Sequence, residues 1–214
     1  YEEEQNNFQT LFDFSDGGQT YRNFRDKDHF VNCYPFIPYQ FELFQLAIRS
    51  FSKQNAFEGK HRSVGERSML GVFQEVAVQI SDHEIGELAT FDLMFEGIRT
   101  ALKSQIQSSI AVAENNLENR LAVRLLKALF LVKYVREFKP TLRNLCVLMQ
   151  DSFSRDLPQL RKDMEEALNL LESQIYIQRN GEVYDFLTDE EKDVAQEIKN
   201  TEVDASEVAE ELAG

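Results

Sequence analysis

A chain of 214 residues with net charge −14, 43% hydrophobic residues, nine Gly, four Pro and two Cys is long enough for one or two globular domains, and it is neither collagenous nor composed like a disordered chain. Two Cys are too few for a disulfide-stapled fold, and Cys33 and Cys146, with no partners at metal-ligand spacing, suit two small buried thiols in a reducing compartment and argue against a secreted fold. The charge is uneven: −7 over 1–116, +1 over 117–187 and −8 over 188–214, so only the middle part does not repel nucleic acid.

The chain opens at Tyr1 without Met, basic leader or apolar leader, and so reads as a segment of a longer polypeptide. The most apolar run, Ala128 to Val135, is interrupted by Lys133 and is far shorter than the roughly 20 residues that span a bilayer. A soluble, cytoplasmic fragment is the expectation.

Residues 1–30 read as irregular, with a turn at Asp16-Gly-Gly18 between Phe-rich runs suited to short strands. From Pro38, a first-turn proline, Phe41, Phe44, Leu46, Ile48 and Phe51 predict a helix. After a polar loop over 55–62, Ser63 with Glu66 forms a capping box, and Met69, Phe73, Val76, Ala77 and Ile80 form the inward stripe of the helix it starts. A further helical pattern covers about Phe91 to Val112.

The polar stretch Glu114 to Asn119 is the best boundary. It gives a helical lobe with an irregular start over 1–116, a second domain over 117–200 and an acidic tail over 201–214. In the second domain, Arg120 to Phe138 reads as one long helix, apolar nearly all round and ended by Pro140. Thr141 caps the next, with Leu142, Leu145, Val147 and Leu148. Pro158 opens a third, striped by Leu160, Met164, Leu168 and Leu171. Two alternating runs flank Asn180-Gly181, a hairpin signal, and Thr188 with Glu191 caps a last, acidic helix. A mainly α protein with one small β-hairpin follows, and the order helix, helix, helix, hairpin, helix is that of a winged helix-turn-helix.

No phosphate loop, HExxH, GxSxG or CxxC string occurs, and His29, His61 and His83 sit in unrelated contexts, so the residues carry no catalytic or metal site. Lys60, Arg62 and Arg67 surround a helix N-terminus, where N–H groups and guanidinium forks suit an anion such as a phosphate. On the residues alone, the plainer reading is that these side chains fan out to solvent or pair with Glu58 and Glu66. The cations available to phosphates or a partner are Arg120, Arg124, Arg143, Arg155, Lys162 and Arg179, with Lys127 beside Arg120 and Arg124. Against them, the third helix exposes Asp163, Glu165 and Glu166 among Gln159, Arg161, Lys162 and Asn169. A solvated charged face is the plainer reading of both sets.

Tyr34-Pro-Phe-Ile-Pro-Tyr-Gln40, Gly65-Glu-Arg-Ser-Met-Leu70 with Phe73-Gln74, Phe138-Lys-Pro-Thr-Leu-Arg-Asn-Leu145 and Leu187-Thr-Asp-Glu-Glu-Lys192 together resemble the large P-loop ATPase of BREX phage-defence systems, over about 34–200. The resemblance implies an AAA+ parent protein using ATP and Mg²⁺, acting with other BREX components to block phage DNA replication. This chain lacks the phosphate loop and so would lie downstream of the ATPase core, holding no cofactor of its own. The first lobe would be lid-like, with the winged helix after it. Arg67 would stand where AAA+ lids keep a nucleotide-sensing arginine, with Arg62 as rival because the spacing departs from Gly-x-x-Arg. Double-stranded DNA, other defence components and further copies of the parent are the partners implied, and no membrane. Three readings stay open: a noncatalytic regulatory segment, a protein-interaction module without nucleic-acid binding, and a winged-helix transcription regulator, which the acidic balance and extra helical lobe disfavour.

Overall fold

The computed structural model describes residues 11–15, 20–59 and 66–213. Among the described residues the protein is mainly helical, with nine α-helices, one 3₁₀ turn and a two-stranded antiparallel sheet. No helix among them is long and apolar enough to cross a membrane.

The first described helix, α1 (Lys27–Cys33), starts where Asp26 accepts a 2.7 Å bond from the His29 N–H. It lies where the sequence predicts irregular chain and short strands; no strand occurs among the described residues before it. The Asp16-Gly-Gly18 turn falls outside the described residues. Helix α2 (Pro38–Lys53) begins at its proline as expected and buries Tyr39, Leu43, Phe44, Ala47, Ile48 and Phe51. Its entry is pinned by buried Gln40, which accepts from the Ile37 N–H at 3.0 Å and donates to the Ala89 carbonyl at 2.6 Å.

Helix α3 (Glu66–Gln79) buries Val72, Phe73 and Val76. The Ser63 half of its expected capping box lies outside the described residues. The pattern over 91–112 resolves into a 3₁₀ turn (Phe91–Leu93), α4 (Met94–Arg99) and α5 (Ser104–Asn116), so one continuous helix is not what forms. The break has a backbone cause. Residues 101–103 pair with 56–58 instead: Glu58 N–H donates to Ala101 O and Lys103 N–H to Ala56 O, both at 2.9 Å. Gly97 on α4 meets α3 so closely that a Cβ would stand 2.7 Å from Val72 Cγ1.

Helix α6 (Arg120–Val132), capped by Asn119, is the central element, buried nearly all round. Phe130 stacks on Phe51 at 4.8 Å and meets Phe95 and Phe186 edge-on. The helix ends at Val132, six residues before the expected Phe138. Val132, Val135 and Phe138 keep a helix-like apolar spacing, but their backbone closes in three-residue turns, Val135 N–H to Val132 O and Phe138 N–H to Val135 O. The Phe138 ring thereby packs on Phe14 at 5.3 Å.

Thr141 caps α7 (Leu142–Leu148), and Asp156 caps α8 (Leu157–Ser173), whose Leu160, Met164, Leu168 and Leu171 are buried as the stripe predicts. Strands β1 (Ile177–Asn180) and β2 (Val183–Phe186) pair from Ile177–Phe186 to Asn180–Val183. The loop is therefore Gly181-Glu182, one residue later than Asn180-Gly181. Only Gly181 has positive φ, at 64°, so the turn makes the demand of type II′ rather than type I′. The last helix, α9 (Asp189–Ala213), starts at the expected box, with Glu191 accepting from the Thr188 N–H at 2.7 Å, and continues through most of the residues assigned to an acidic tail. Buried side chains from Phe12 to Phe186 form one cluster on both sides of Leu117.

Candidate interaction surfaces

The first and third helices of the C-terminal part, α6 and α8, pack on the hairpin, and the hairpin is held to the start of α7. The Tyr184 N–H donates to Pro140 O at 3.0 Å, and Thr141 bridges Val183. Buried Asn144 reinforces that corner, donating to Ser15 O and Lys139 O at 2.8 Å each. These fixed elements form a groove of about 620 Å³, where Arg143 (α7), Arg161 (α8) and Arg179 (β1) converge with Glu165, Glu182 and Asn169.

Each arginine in the groove has a different setting. Arg143 is exposed and makes no ion pair among the described residues. Arg161 bonds Glu165 at 3.2 Å along α8. Arg179 Nε donates to Gly181 O at 2.9 Å, and its guanidinium lies 5.5 Å from the Tyr184 ring centre, an arrangement that holds the fork rigid at the hairpin tip. Arg161, expected on the exposed face of the third helix but not among the contact residues, is thus brought to the same groove.

The other cations marked by the sequence lie elsewhere. Arg124 faces the 3₁₀ turn, with Nε 3.0 Å from Asp92 Oδ2 and Nη2 2.8 Å from Thr90 Oγ1; Asp92 is only 3% exposed. Lys127 reaches Glu96 at 2.6 Å and Glu114 at 2.7 Å. Arg99 shares both carboxylates, and its hydrogen bonds, with those of Lys127, hold the Glu114 carboxyl down at about 2 against the opposing effect of burial. Three helices, α4, α5 and α6, are tied by this network. Arg120 is exposed with no ion pair among the described residues. Lys162 approaches Glu166 at 4.0 Å on the open side of α8.

Arg155 lies in a second groove, of about 1110 Å³, with Asp82, Glu84, Glu87, Asp151, Asp156 and Asp163 around it. It bonds Asp163 at 3.4 Å, while its Nε is buried without a hydrogen-bond partner among the described residues. This surface is anionic in spite of Arg155.

Of the nucleotide-sensing candidates, Lys60 and Arg62 lie outside the described residues; Arg67 is in the first turn of α3, by its backbone. Cys146 is a partly covered thiol whose pKa burial pushes up to about 11, a poor nucleophile at neutral pH. Among the described residues, no group of three His, Cys, Asp or Glu is placed to hold a metal ion. No protein-family model and no solved structure matches the chain.

Proposed function

We propose that the chain is a noncatalytic regulatory segment of an ATP-dependent phage-defence protein of the BREX type. Its first part is a lid that senses nucleotide through Arg67, and its second is a winged helix-turn-helix that engages a protein partner. The sequence strings given above support the family, and the order α6, α7, α8, β1–β2, α9 supports the winged helix. The observation that carries the choice of a protein partner is the commitment of the cations: Arg124, Lys127 and Arg155 bond carboxylates within the fold, and Arg161 and Lys162 have glutamates one turn away. Phosphate affinity needs one uncommitted cation per neutralised phosphate.

A second reading, duplex DNA, has the Arg143, Arg161 and Arg179 groove in its favour. Titration of labelled duplex DNA with the chain across a salt series separates the two. The protein-contact reading expects no association even at low salt. A log–log salt slope of about −3, lowered by about one unit in each of Arg143→Ala and Arg179→Ala, would establish the DNA reading instead. For the lid, Arg67→Ala weakens nucleotide-dependent activity of the intact parent more than Arg62→Ala does; wild-type behaviour of both variants would refute a sensing role.

A further inference from the structure

Among the described residues, nothing covers the Val194 and Ile198 side of helix α9. Val194 is 58% exposed and Ile198 56%, and with Ala195 they line a groove of about 930 Å³ whose opposite side is Ile175, Ile177 and Leu187. The apolar spacing continues in the sequence beyond Ile198. Val194, Ile198, Thr201, Ala205, Val208 and Leu212 alternate at spacings of four and three, the seam of a coiled coil, over a helix that runs 25 residues or about 37 Å.

The flanks choose the occupant. With the seam as positions a and d, every g position is acidic: Glu190, Glu197, Asp204 and Glu211. The rim of the groove adds Glu172 and Asp185; of its two lysines Lys133 is bonded to Glu191 at 2.6 Å, which leaves Lys199 against a carboxylate majority of Glu172, Asp185, Glu190 and Glu191. A second copy is disfavoured in either orientation. An antiparallel pair would oppose one acidic g row to another, and a parallel pair would set Glu197 against Glu202. Thr201 and Ala205 also fill a self-paired seam poorly.

We propose that this groove and seam dock an amphipathic helix of a partner protein, with large aliphatic residues along its own seam and Lys or Arg on the flank that meets the acidic g row. The proposal stands apart from the question of what the Arg143 groove contacts. Burial of Val194 and Ile198 under aliphatic side chains supplies affinity, and the acidic g row with the Glu172 and Asp185 rim selects a basic partner over an acidic one.

The test titrates the full chain with three labelled four-heptad peptides, followed by fluorescence anisotropy. One has Leu at a and d with Lys at e and g; one replaces Lys by Glu; one keeps the Lys composition but scrambles the seam. The Lys peptide binds at least about tenfold tighter than both others, and Ile198→Asp, at an exposed position that leaves the core intact, weakens it by about tenfold or more. Glu190→Lys with Glu197→Lys reverses the preference towards the Glu peptide. Equal binding of the Lys and scrambled peptides, or no effect of Ile198→Asp, overturns the proposal. So does a dimer of the chain alone in sedimentation equilibrium that Ile198→Asp dissolves, since the occupant would then be a second copy.

Discussion

Replacement of Arg124 by Ala separates a structural arginine from a ligand-contacting one. In the folded protein Arg124 gives Asp92 two bonds, at 3.0 and 3.4 Å, and Thr90 one, at 2.8 Å. Truncation strips a 3%-exposed carboxylate of its counter-charge while the chain around it stays packed. Breaking a fully buried pair costs about 3–5 kcal/mol, because the surviving charge is left without compensation. Arg124 is itself 38% exposed, and water entering the space it vacates resolvates Asp92 in part, so about 2–3 kcal/mol is the expected loss. In a domain of this size that lowers the melting temperature by about 4–12 °C. Arg120→Ala, one turn earlier on the same helix and exposed without an ion pair, should change stability by less than about 0.5 kcal/mol. Urea midpoints of the two variants, with unchanged slopes, give the comparison. The double variant Arg124→Met with Asp92→Leu should recover most of the loss, since apolar side chains of similar volume replace such pairs without penalty. Equal midpoints for Arg124→Ala and Arg120→Ala would refute the structural assignment and return Arg124 to the contact surface.

Further outcomes follow from the same contacts. Gly97→Ala should destabilise by about 1–3 kcal/mol in urea melts although alanine favours helix, because its Cβ would collide with Val72; adding Val72→Ala should restore part of the loss. Gly181→Val should cost about 1–2 kcal/mol and speed amide exchange at Val183, since a β-branched residue tolerates φ 64° poorly. Glu114 titrates at about 2 in the folded protein against 4.5 unperturbed, so its contribution is complete above about pH 4.5 and is lost as pH falls from there towards 2. Urea midpoints of Glu114→Gln should accordingly be lower at pH 6 and fall less steeply between pH 5 and pH 3 than those of the unmodified chain.

Features set by local chemistry were legible in the sequence. Thr141 and the Thr188–Glu191 box cap their helices, Pro38 starts α2, and the leucine stripe of α8 turns inward, because each depends on residues within a turn or two. Features set by distant partners were not. Residues 101–103 leave the helix to pair with 56–58, and the chain after Val132 turns to bring Phe138 against Phe14; in both, the apolar spacing alone still reads as helix. The hairpin was visible, yet its loop slipped by one residue, because Gly supplies the positive φ equally well at the first or second loop position. The candidate site divided the same way. Arg120, Arg124 and Lys127 share a helical face, but their difference in role comes from Asp92, Glu96 and Glu114, all supplied by elements that precede α6 in the chain.

That difference also decides how an acidic chain recognises anything. Arg99, Lys127 and Arg124 are drawn inward to carboxylates, which leaves among the outer cations Arg120 and the Arg143, Arg161 and Arg179 groove, against the carboxylates around Arg155 and along α9. Fields from those carboxylates reach only about 8 Å at physiological ionic strength, so they act on a partner already in contact rather than drawing one from afar. Recognition along α9 therefore divides by role rather than by range. The exposed valine and isoleucine hold whatever helix covers them, and the flanking carboxylates, effective at the same contact distance, raise the free energy of every acidic helix that could compete for the seam.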